Sequence, residues 1–208
     1  MNYLITGTDT GVGKTFFTSG LVRFGRSKGI DIVGMKPICT GNNIDVRILL
    51  EACGGCEPEH ILNPIWYRTP VAPYTASIIE GRQIDLDAIR KAFGQLAKQH
   101  SNVLVEGSGG IAVPILANYD FRDLVRELSL GVIVVAANRL GVLNHARLTI
   151  ESIQAAGLKC VLVALNSANS ISDISEPTNL SILESLVDVP VLGIEHGQLD
   201  FAEIVRSL

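Results

Sequence analysis

The stretch Gly7–Phe17 reads GTDTGVGKTFF and follows the strand-like run YLIT. Its Gly-Lys-Thr ending is typical of phosphate-binding loops, although five residues, rather than the usual four, separate Gly7 from Gly13. The apolar spacing of the residues that follow predicts a helix, so strand, glycine-rich loop and helix occur in the order that such a loop requires. This order predicts that loop amides and the positive end of the helix bind phosphate.

Two other interpretations of the stretch are a glycine-rich turn with a helix-capping threonine and a dinucleotide-binding loop. The strand before and the helix after it count against the first. A dinucleotide loop needs no Lys-Thr pair and favours an acid at the end of the second strand, where this chain has MKPICTG. Phosphate binding is therefore favoured, with Lys14 directed at the outer phosphates and the Thr15 hydroxyl at Mg²⁺. The residues expected to bind the nucleotide here are Gly11, Val12, Gly13, Lys14, Thr15 and Phe16.

Short apolar runs alternate with amphipathic stretches along the chain, a pattern that predicts βαβ units. We expect an α/β fold of the P-loop NTPase type, with a doubly wound, mostly parallel sheet. Helices are predicted at Thr15–Lys28, Leu86–Gln99 and Leu143–Ala156, and a surface loop at Asn166–Asn179. The predicted strands are YLIT, IVGMK, NVLVEG, GVIVVAAN, CVLVALN and VPVLGI.

The composition is that of an ordinary soluble protein. The 208 residues suit one domain over 1–208, and a formal charge of −4 with 18% charged residues favours neither nucleic acid nor a membrane surface as partner. No leader-like segment or bilayer-length apolar run is visible, so we expect a cytoplasmic protein. The four cysteines are too few and too scattered to indicate a disulfide framework.

Ligands of parallel sheets bind beyond the carboxyl ends of the strands. Lys36 directly follows IVGM and is either a surface lysine or a second cation that stabilises a transferring phosphoryl group. Glu106 ends NVLVEG and is either a buried, hydrogen-bonded acid or, as we prefer, a magnesium ligand. Asp45 has the position of a helix cap, with a magnesium role open. Gly109 belongs to a glycine-rich loop that can approach a ligand closely.

The cysteine pair of the CGGC segment, with His60 four residues later, has two interpretations. It is half of a zinc site, for which no second pair follows, or a helix that ends at Gly54 beside ordinary thiols. The three other histidines have no partner that can be recognised in the sequence, and we interpret them as structural or surface residues. They are His100, His145 and His196.

The chain resembles the dethiobiotin synthetase family, and the longer glycine spacing of its opening stretch is a feature of that family. The matching segments follow family order and cover most of the chain. They are GTDTGVGKT, MKPICTG, NPIWYRTPVAPYTAS, EGRQID, LVEGSGG, GVLNHARLTIESIQAAGL and VLVALNSAN.

The resemblance implies an ATP-dependent ligase of biotin biosynthesis with Mg²⁺ as cofactor. Its substrates would be 7,8-diaminopelargonic acid, carbon dioxide and ATP, joined through a carbamate and a carbamic-phosphoric anhydride. In the roles that it implies, Lys14 and Lys36 hold phosphate and carbamate oxygens, Thr10 and Thr40 hydrogen-bond the substrate or carbamate, and Asn166 contacts the base. Thr10 is counted with the lysines as catalytic, Thr40 and Gly109 as substrate-binding. The implied metal ligands are Thr15, Asp45 and Glu106.

The resemblance also implies a homodimer with a shared active site. A helix start near Leu143 follows a glycine-containing loop, and its free amides suit a carboxylate. From the residues alone, a helix start capped by local side chains is the alternative. In the family this helix start receives the tail carboxylate of diaminopelargonic acid from the neighbouring subunit. The residues concerned are Gly141, Val142, Leu143 and Asn144.

Two other classes of protein share this sheet. Partitioning or septum-placing ATPases carry an extra lysine early in the loop, where this chain has Asp9. Amide-forming enzymes of cobyrinic acid synthesis append a glutaminase domain, for which 208 residues leave no room. Both fit the sequence less well than the synthetase.

Overall fold

The computed structural model describes residues 2–167 and 174–207. Its strands form where the sequence has apolar runs, because a parallel strand with helices on both faces is buried on both faces. In the run VIVV of the strand Gly131–Ala137 every side chain is buried. The helices form where apolar residues recur at helical spacing and cover these faces.

The described ranges contain ten strands, numbered in chain order. They are β1 (Asn2–Gly7), β2 (Ile32–Met35), β3 (Ile38–Thr40), β4 (Ile65–Tyr67), β5 (Asn102–Gly110), β6 (Pro114–Leu116), β7 (Tyr119–Asp120), β8 (Gly131–Ala137), β9 (Cys160–Asn166) and β10 (Val191–Ile194).

The same ranges contain nine helices. They are α1 (Lys14–Ser27), α2 (Ile44–Ala52), α3 (Glu59–Leu62), α4 (Pro73–Ile79), α5 (Leu86–Gln99), α6 (Phe121–Leu128), α7 (Val142–Ala155), α8 (Glu176–Leu186) and α9 (Ala202–Ser207).

The strands predicted from the sequence form one parallel sheet in the order β10-β9-β8-β1-β5-β2. The strand that leads into the phosphate loop, β1, lies between β8 and β5. The carboxyl ends of β1, β5 and β2 therefore meet at one edge. The phosphate loop follows β1 and Lys36 follows β2, whereas Glu106 and Gly109 lie within β5, which continues to Gly110. The predicted α/β architecture with a mostly parallel sheet is confirmed.

Two small sheets were not predicted. Strand β3 pairs in parallel with β4, and β6 pairs antiparallel with β7. Each of these strands has only two or three residues, too few to show the alternation that identifies a strand in a sequence.

The predicted helix boundaries are close to the observed ones. The prediction Leu86–Gln99 coincides with α5, whose cap residue Asp85 accepts a hydrogen bond from the Ala88 amide. Helices α1 and α7 each begin and end one residue earlier than predicted, because a left-handed glycine, Gly13 or Gly141, ends the preceding loop. No helix within 2–167 and 174–207 has both the length and the apolar character needed to cross a bilayer.

The predicted loop Asn166–Asn179 is partly wrong. Asn166 is the buried last residue of β9, and α8 begins at Glu176. The Asn179 amide donates to Asn138 Oδ1 at 2.9 Å, an interaction that joins the start of α8 to the end of β8 and is not visible in the sequence. The residues 168–173 of the predicted loop lie outside the described ranges.

His100, for which the sequence suggested no partner, has two. Its Nδ1 lies 2.7 Å from Asp31 Oδ1 and its Nε2 lies 3.1 Å from Glu57 Oε1. The three residues come from distant parts of the chain and meet where Asp31 precedes β2 and His100 precedes β5. This cluster lies at the amino ends of the strands, away from the edge that bears the phosphate loop.

Candidate functional site

The phosphate loop is the turn between β1 and α1. Gly13 has a φ of 95°, in the left-handed region, and no side chain in the described part of the chain caps the helix that starts at Lys14. The first amides of a helix have no intrahelical acceptors, so those at the start of α1 are available to an anion. The Lys14 ammonium folds back over the loop and donates to the Asp9 carbonyl oxygen at 3.1 Å. The loop thus collects donors and one positive charge around a space suited to phosphate.

Asn166, predicted to contact the base, supports the loop from the end of β9. Its Nδ2 donates to the Val12 carbonyl oxygen at 2.9 Å, and a Cβ added at Gly13 would lie 2.0 Å from the same nitrogen. Any side chain at position 13 would therefore displace the asparagine. The Oδ1 of Asn166 is buried and has no hydrogen-bond partner among the described residues, and Asn166 is not part of the cavity lining described below.

Lys36 and Glu106 form a buried ion pair between the ends of β2 and β5. The Lys36 Nζ lies 2.6 Å from Glu106 Oε1, and these residues are 4% and 0% exposed. The surface-lysine interpretation of Lys36 is therefore wrong. Thr15 of the phosphate loop donates its hydroxyl to the same Glu106 oxygen at 2.8 Å, which joins the loop to the pair.

Asp45 completes this cluster from α2. Its Oδ2 lies 3.3 Å from Lys36 Nζ, and its side chain is 45% exposed. The helix-cap interpretation of Asp45 is wrong, because α2 begins at Ile44 and its N-cap residue is Asn43. Three residues separate Gly41 from Asp45, and this connection brings the carboxylate to the lysine. Asp45 therefore contributes a carboxylate to this cluster and is not the cap of α2.

The pKa values of the two lysines are shifted in opposite directions. Burial, followed by the neighbouring Lys36 ammonium, lowers the pKa of Lys14 to about 8. Burial alone would lower the pKa of Lys36, but the Glu106 and Asp45 carboxylates outweigh it and raise that pKa above its ordinary value. At neutral pH both lysines are therefore protonated. Within the described residues, no carboxylate forms an ion pair with Lys14, whereas Lys36 has two such partners.

A cavity of about 610 Å³ opens in front of this cluster. It brings together most of the residues predicted for the site, and their lining side chains combine donors, two ammonium groups and one carboxylate. The predicted residues that line it are Thr10, Gly11, Gly13, Lys14, Thr15, Phe16, Lys36, Thr40, Asp45 and Gly109. Glu106 is joined to this set through Thr15 and Lys36.

Several lining residues were not predicted, namely Cys39, Pro70, Val71, Ala72, Pro73, Ser108 and Val113. Residues 70–73 lie in the segment NPIWYRTPVAPYTAS, where the prolines were the only available signal. They contribute apolar side chains to the lining, which the sequence could not assign because their position depends on tertiary contacts such as the pairing of β3 with β4.

The cavity lining does not include the helix start at 141–144. Gly141 has a φ of 94°, and no described side chain caps α7, so the alternative of a locally capped helix start is not supported. Asn144 and Gly141 are exposed. Within one chain this segment is therefore separate from the pocket.

The cysteines of the CGGC segment lie apart from the site. The Cys53 thiol is buried and accepts from the Gly34 amide at 3.3 Å, whereas Cys56 is exposed. Helix α2 ends at Ala52, two residues before the predicted Gly54. In residues 2–167 and 174–207 no group of three or more His, Cys, Asp or Glu side chains is arranged to hold a metal ion, so these thiols give no support to the zinc interpretation.

A glycine-rich loop between a central parallel strand and a helix, ending in lysine and threonine, defines a P-loop nucleotide-binding protein. Comparison of folds agrees with this class. The septum site-determining protein MinD of Pyrococcus horikoshii, solved with Mg-ADP, is 15% identical over 99% of this chain and 84% of that one, with a TM-score of 0.54. The signal recognition particle receptor FtsY of Elizabethkingia anophelis is 18% identical over 91% of this chain and 56% of that one, with a TM-score of 0.52. These similarities show the fold.

Comparison of sequences identifies the family. The sequence model described as "AAA domain" matches residues 1–195. The ATP-dependent dethiobiotin synthetase BioD of an Anaeromyxobacter species (strain Fw109-5) is 44% identical over 98% of this chain and 93% of that protein. The protein of the same name from Akkermansia muciniphila is 38% identical over 95% and 93%. The chain belongs to the ATP-dependent dethiobiotin synthetase family, and the resemblance noted in the sequence is confirmed.

Proposed function

We propose that this chain catalyses the ATP-dependent carboxylation and ring closure of 7,8-diaminopelargonic acid to dethiobiotin, a step of biotin biosynthesis. Membership of the synthetase family supports the overall reaction. The observation that carries the proposal is the cluster of Lys14, Lys36, Thr15, Asp45 and Glu106 around one cavity at the end of β1.

The reaction must bring two anions together. One amine of the substrate takes up carbon dioxide as a carbamate, and a carbamate oxygen then attacks the γ-phosphorus of ATP, releasing ADP. The second amine attacks the carbonyl carbon of the resulting carbamic-phosphoric anhydride. Its C–O bond breaks, phosphate leaves, and the cyclic urea closes. No covalent bond to the protein is needed, because the substrate supplies both nucleophiles.

The positive charges of the two lysines can reduce the electrostatic repulsion between the carbamate and the phosphate. The Lys14 ammonium lies at the start of α1, where loop amides also face a phosphate. The Lys36 ammonium lies between the ends of β2 and β5 and lines the same cavity. Fixed charges in a partly enclosed site stabilise the extra charge that builds up during transfer more than water would. We propose that Thr10 and Thr40, which also line the cavity, hydrogen-bond the carbamate or substrate.

The donor set at the centre of the cluster fits Mg²⁺. The Glu106 Oε2 is buried and has no partner among the described residues, a costly arrangement for a carboxylate unless a cation completes it. Oxygen ligands of carboxylate and hydroxyl type are those that magnesium prefers. We therefore propose Thr15, Asp45 and Glu106 as its ligands. When bound, the metal would reduce the negative charge of the ATP phosphates.

The remaining parts of the proposal concern the dimer, the base and the location. We propose that Gly141–Asn144 of a second copy bind the tail carboxylate of the substrate, which is consistent with an uncapped, exposed helix start outside the cavity. We propose that the Asn166 Oδ1, which has no partner within residues 2–167 and 174–207, accepts a hydrogen bond from the base of ATP. The use of ATP leads us to propose a cytoplasmic location. Because Gly141–Asn144 lie outside the cavity of their own chain, we propose that the protein is a homodimer.

The proposal is tested by incubating the purified protein with diaminopelargonic acid, bicarbonate and MgATP. Dethiobiotin is detected by mass spectrometry and ADP by a coupled assay. We expect ADP release to require both the diamine and bicarbonate, whereas an ATPase switch would release ADP without them. Absence of dethiobiotin with ATP or any other nucleoside triphosphate would refute the proposal.

Two variants control for damage to the protein. Lys14→Ala removes the loop ammonium and should abolish product formation, whereas Lys98→Ala removes an exposed lysine of α5 and should not. Equal losses in the two variants would mean that the assay reports folding rather than chemistry.

A further inference from the structure

Asn63 is a buried residue of the segment between α3 and β4, outside the lining of the cavity. Its side-chain amide Nδ2 donates to the Lys36 carbonyl oxygen at 2.6 Å and to the Ile65 carbonyl oxygen at 3.0 Å. The Lys36 amide in turn donates to the Leu62 carbonyl oxygen at 2.8 Å. Both backbone polar groups of Lys36 are therefore bound by the segment 62–63.

Lys36 needs such a support because it lies outside the main sheet. The pairing of β2 with β5 ends at Met35, and β3 begins only at Ile38. Pro37 follows Lys36 and has no amide hydrogen to donate. Without Asn63 the Lys36 carbonyl oxygen would lose its only partner in the described residues, and a lysine at a strand end would be free to shift.

A small shift of Lys36 would disturb the cluster that it joins. Its ammonium lies 2.6 Å from Glu106 Oε1 and 3.3 Å from the Gly107 carbonyl oxygen. A carboxylate and a backbone carbonyl therefore both fix its position. Misplacing a reacting group by about 1 Å costs up to about a hundredfold in rate, even when the cause lies outside the site.

We propose that Asn63 is a positioning residue that holds the Lys36 backbone so that its ammonium reaches Glu106 and the cavity. The proposal rests on the proposed function only in the catalytic consequence, since the position of Lys36 can be measured separately. Asn63 does not touch the reacting groups and acts through the lysine.

The first test is structural and needs no activity. Crystal structures of the wild type and of Asn63→Ala should show the Lys36 Nζ displaced from Glu106 Oε1 by about 1 Å or more in the variant, with the sheet unchanged. If Asn63→Ala does not fold, Asn63→Ser, which keeps one donor, is used in its place. An unchanged Lys36 in a folded variant would overturn the proposal.

The second test is kinetic and separates positioning from general stability. Asn63→Ala should lower kcat by about 10- to 100-fold, and should lower it little further when Lys36→Ala is already present, because groups that act as a unit are not additive. A merely structural asparagine would give the same fold-loss in both backgrounds and would overturn the proposal. Asn102→Ala serves as matched control, because its Nδ2 also donates to a backbone carbonyl, that of Asp31, at 2.9 Å.

The two tests distinguish failure of this inference from failure of the proposed function. A wild type that makes no dethiobiotin, combined with a displaced Lys36 in Asn63→Ala, would refute the function and support the positioning role. An active wild type with an undisturbed Lys36 in the variant would refute the positioning role alone.

Discussion

Replacing Glu106 by glutamine keeps the shape of the side chain and removes the charge that balances Lys36. The two residues are 0% and 4% exposed, and their charged atoms lie 2.6 Å apart, so the ion pair is almost completely buried from solvent. Losing one partner of a buried pair costs about 3–5 kcal/mol because the other charge is left without compensation. Asp45 remains 3.3 Å from the lysine but is 45% exposed, so it offsets part of this cost.

We therefore expect Glu106→Gln to lower the free energy of unfolding by about 3 kcal/mol, which for a chain of this length is a fall in Tm of about 6–12 °C. Differential scanning calorimetry at pH 7 measures it. The double variant Lys36→Met with Glu106→Gln removes both charges and should recover most of the lost stability, since replacing both partners of a buried pair is often close to neutral.

Activity should not follow stability in this series. The double variant should recover near wild-type stability. It would still lack one proposed catalytic cation and one proposed magnesium ligand, so it should remain inactive. The rate of Glu106→Gln should also need more Mg²⁺ for half-saturation than the wild type does. A Tm of Glu106→Gln within about 1 °C of the wild type, or a double variant no more stable than the single one, would refute the assignment of a buried, coupled pair.

Lys14→Ala and Lys36→Ala should each lower turnover by at least about a hundredfold in the dethiobiotin assay; an unchanged rate in either would contradict its role. Asn144→Ala should raise the KM for diaminopelargonic acid but not for ATP, and mixing it with Lys14→Ala should restore activity through shared sites; exchange without recovery would argue against them. Because the pKa of Lys14 is lowered to about 8, ATP affinity by calorimetry should weaken from pH 7 to 9 as the ammonium deprotonates; a constant affinity would show that its charge is not used. Iodoacetamide at pH 8 should label exposed Cys56 long before Cys53, whose pKa burial raises to about 11; equal rates by mass spectrometry would disprove the burial.

Much of the fold could be predicted from the sequence because its signals are local. A strand buried on both faces must be apolar through its centre, and the six predicted strands all occur. The phosphate loop is equally local, since a glycine-rich turn, a lysine and a helix start follow one another within Gly7–Lys14. The family could also be predicted, because its motifs lie in linear order along most of the chain.

Other features depend on residues far apart in the chain and could not be predicted. Lys36 and Glu106 are 70 positions apart, and their pairing follows from the adjacency of β2 and β5 in the sheet. The role of Asn63 depends likewise on a contact with the Lys36 backbone. Nothing in the local sequence of these residues distinguishes a buried ion pair or a backbone support from a surface lysine and a loop asparagine.

The sequence by itself determined the six strands of the main sheet, the position of the phosphate loop and the family to which the chain belongs. The resemblance already implied that Thr15, Lys36, Asp45 and Glu106 belong to one site. Only the tertiary structure decided that Lys36 and Glu106 form a buried ion pair, and that the helix start at 141–144 is not part of the cavity lining. The reason is that hydrophobic periodicity and backbone turns act between neighbours in sequence, whereas burial of a charge is stabilised by whichever opposite charge the folded chain brings within a few ångströms.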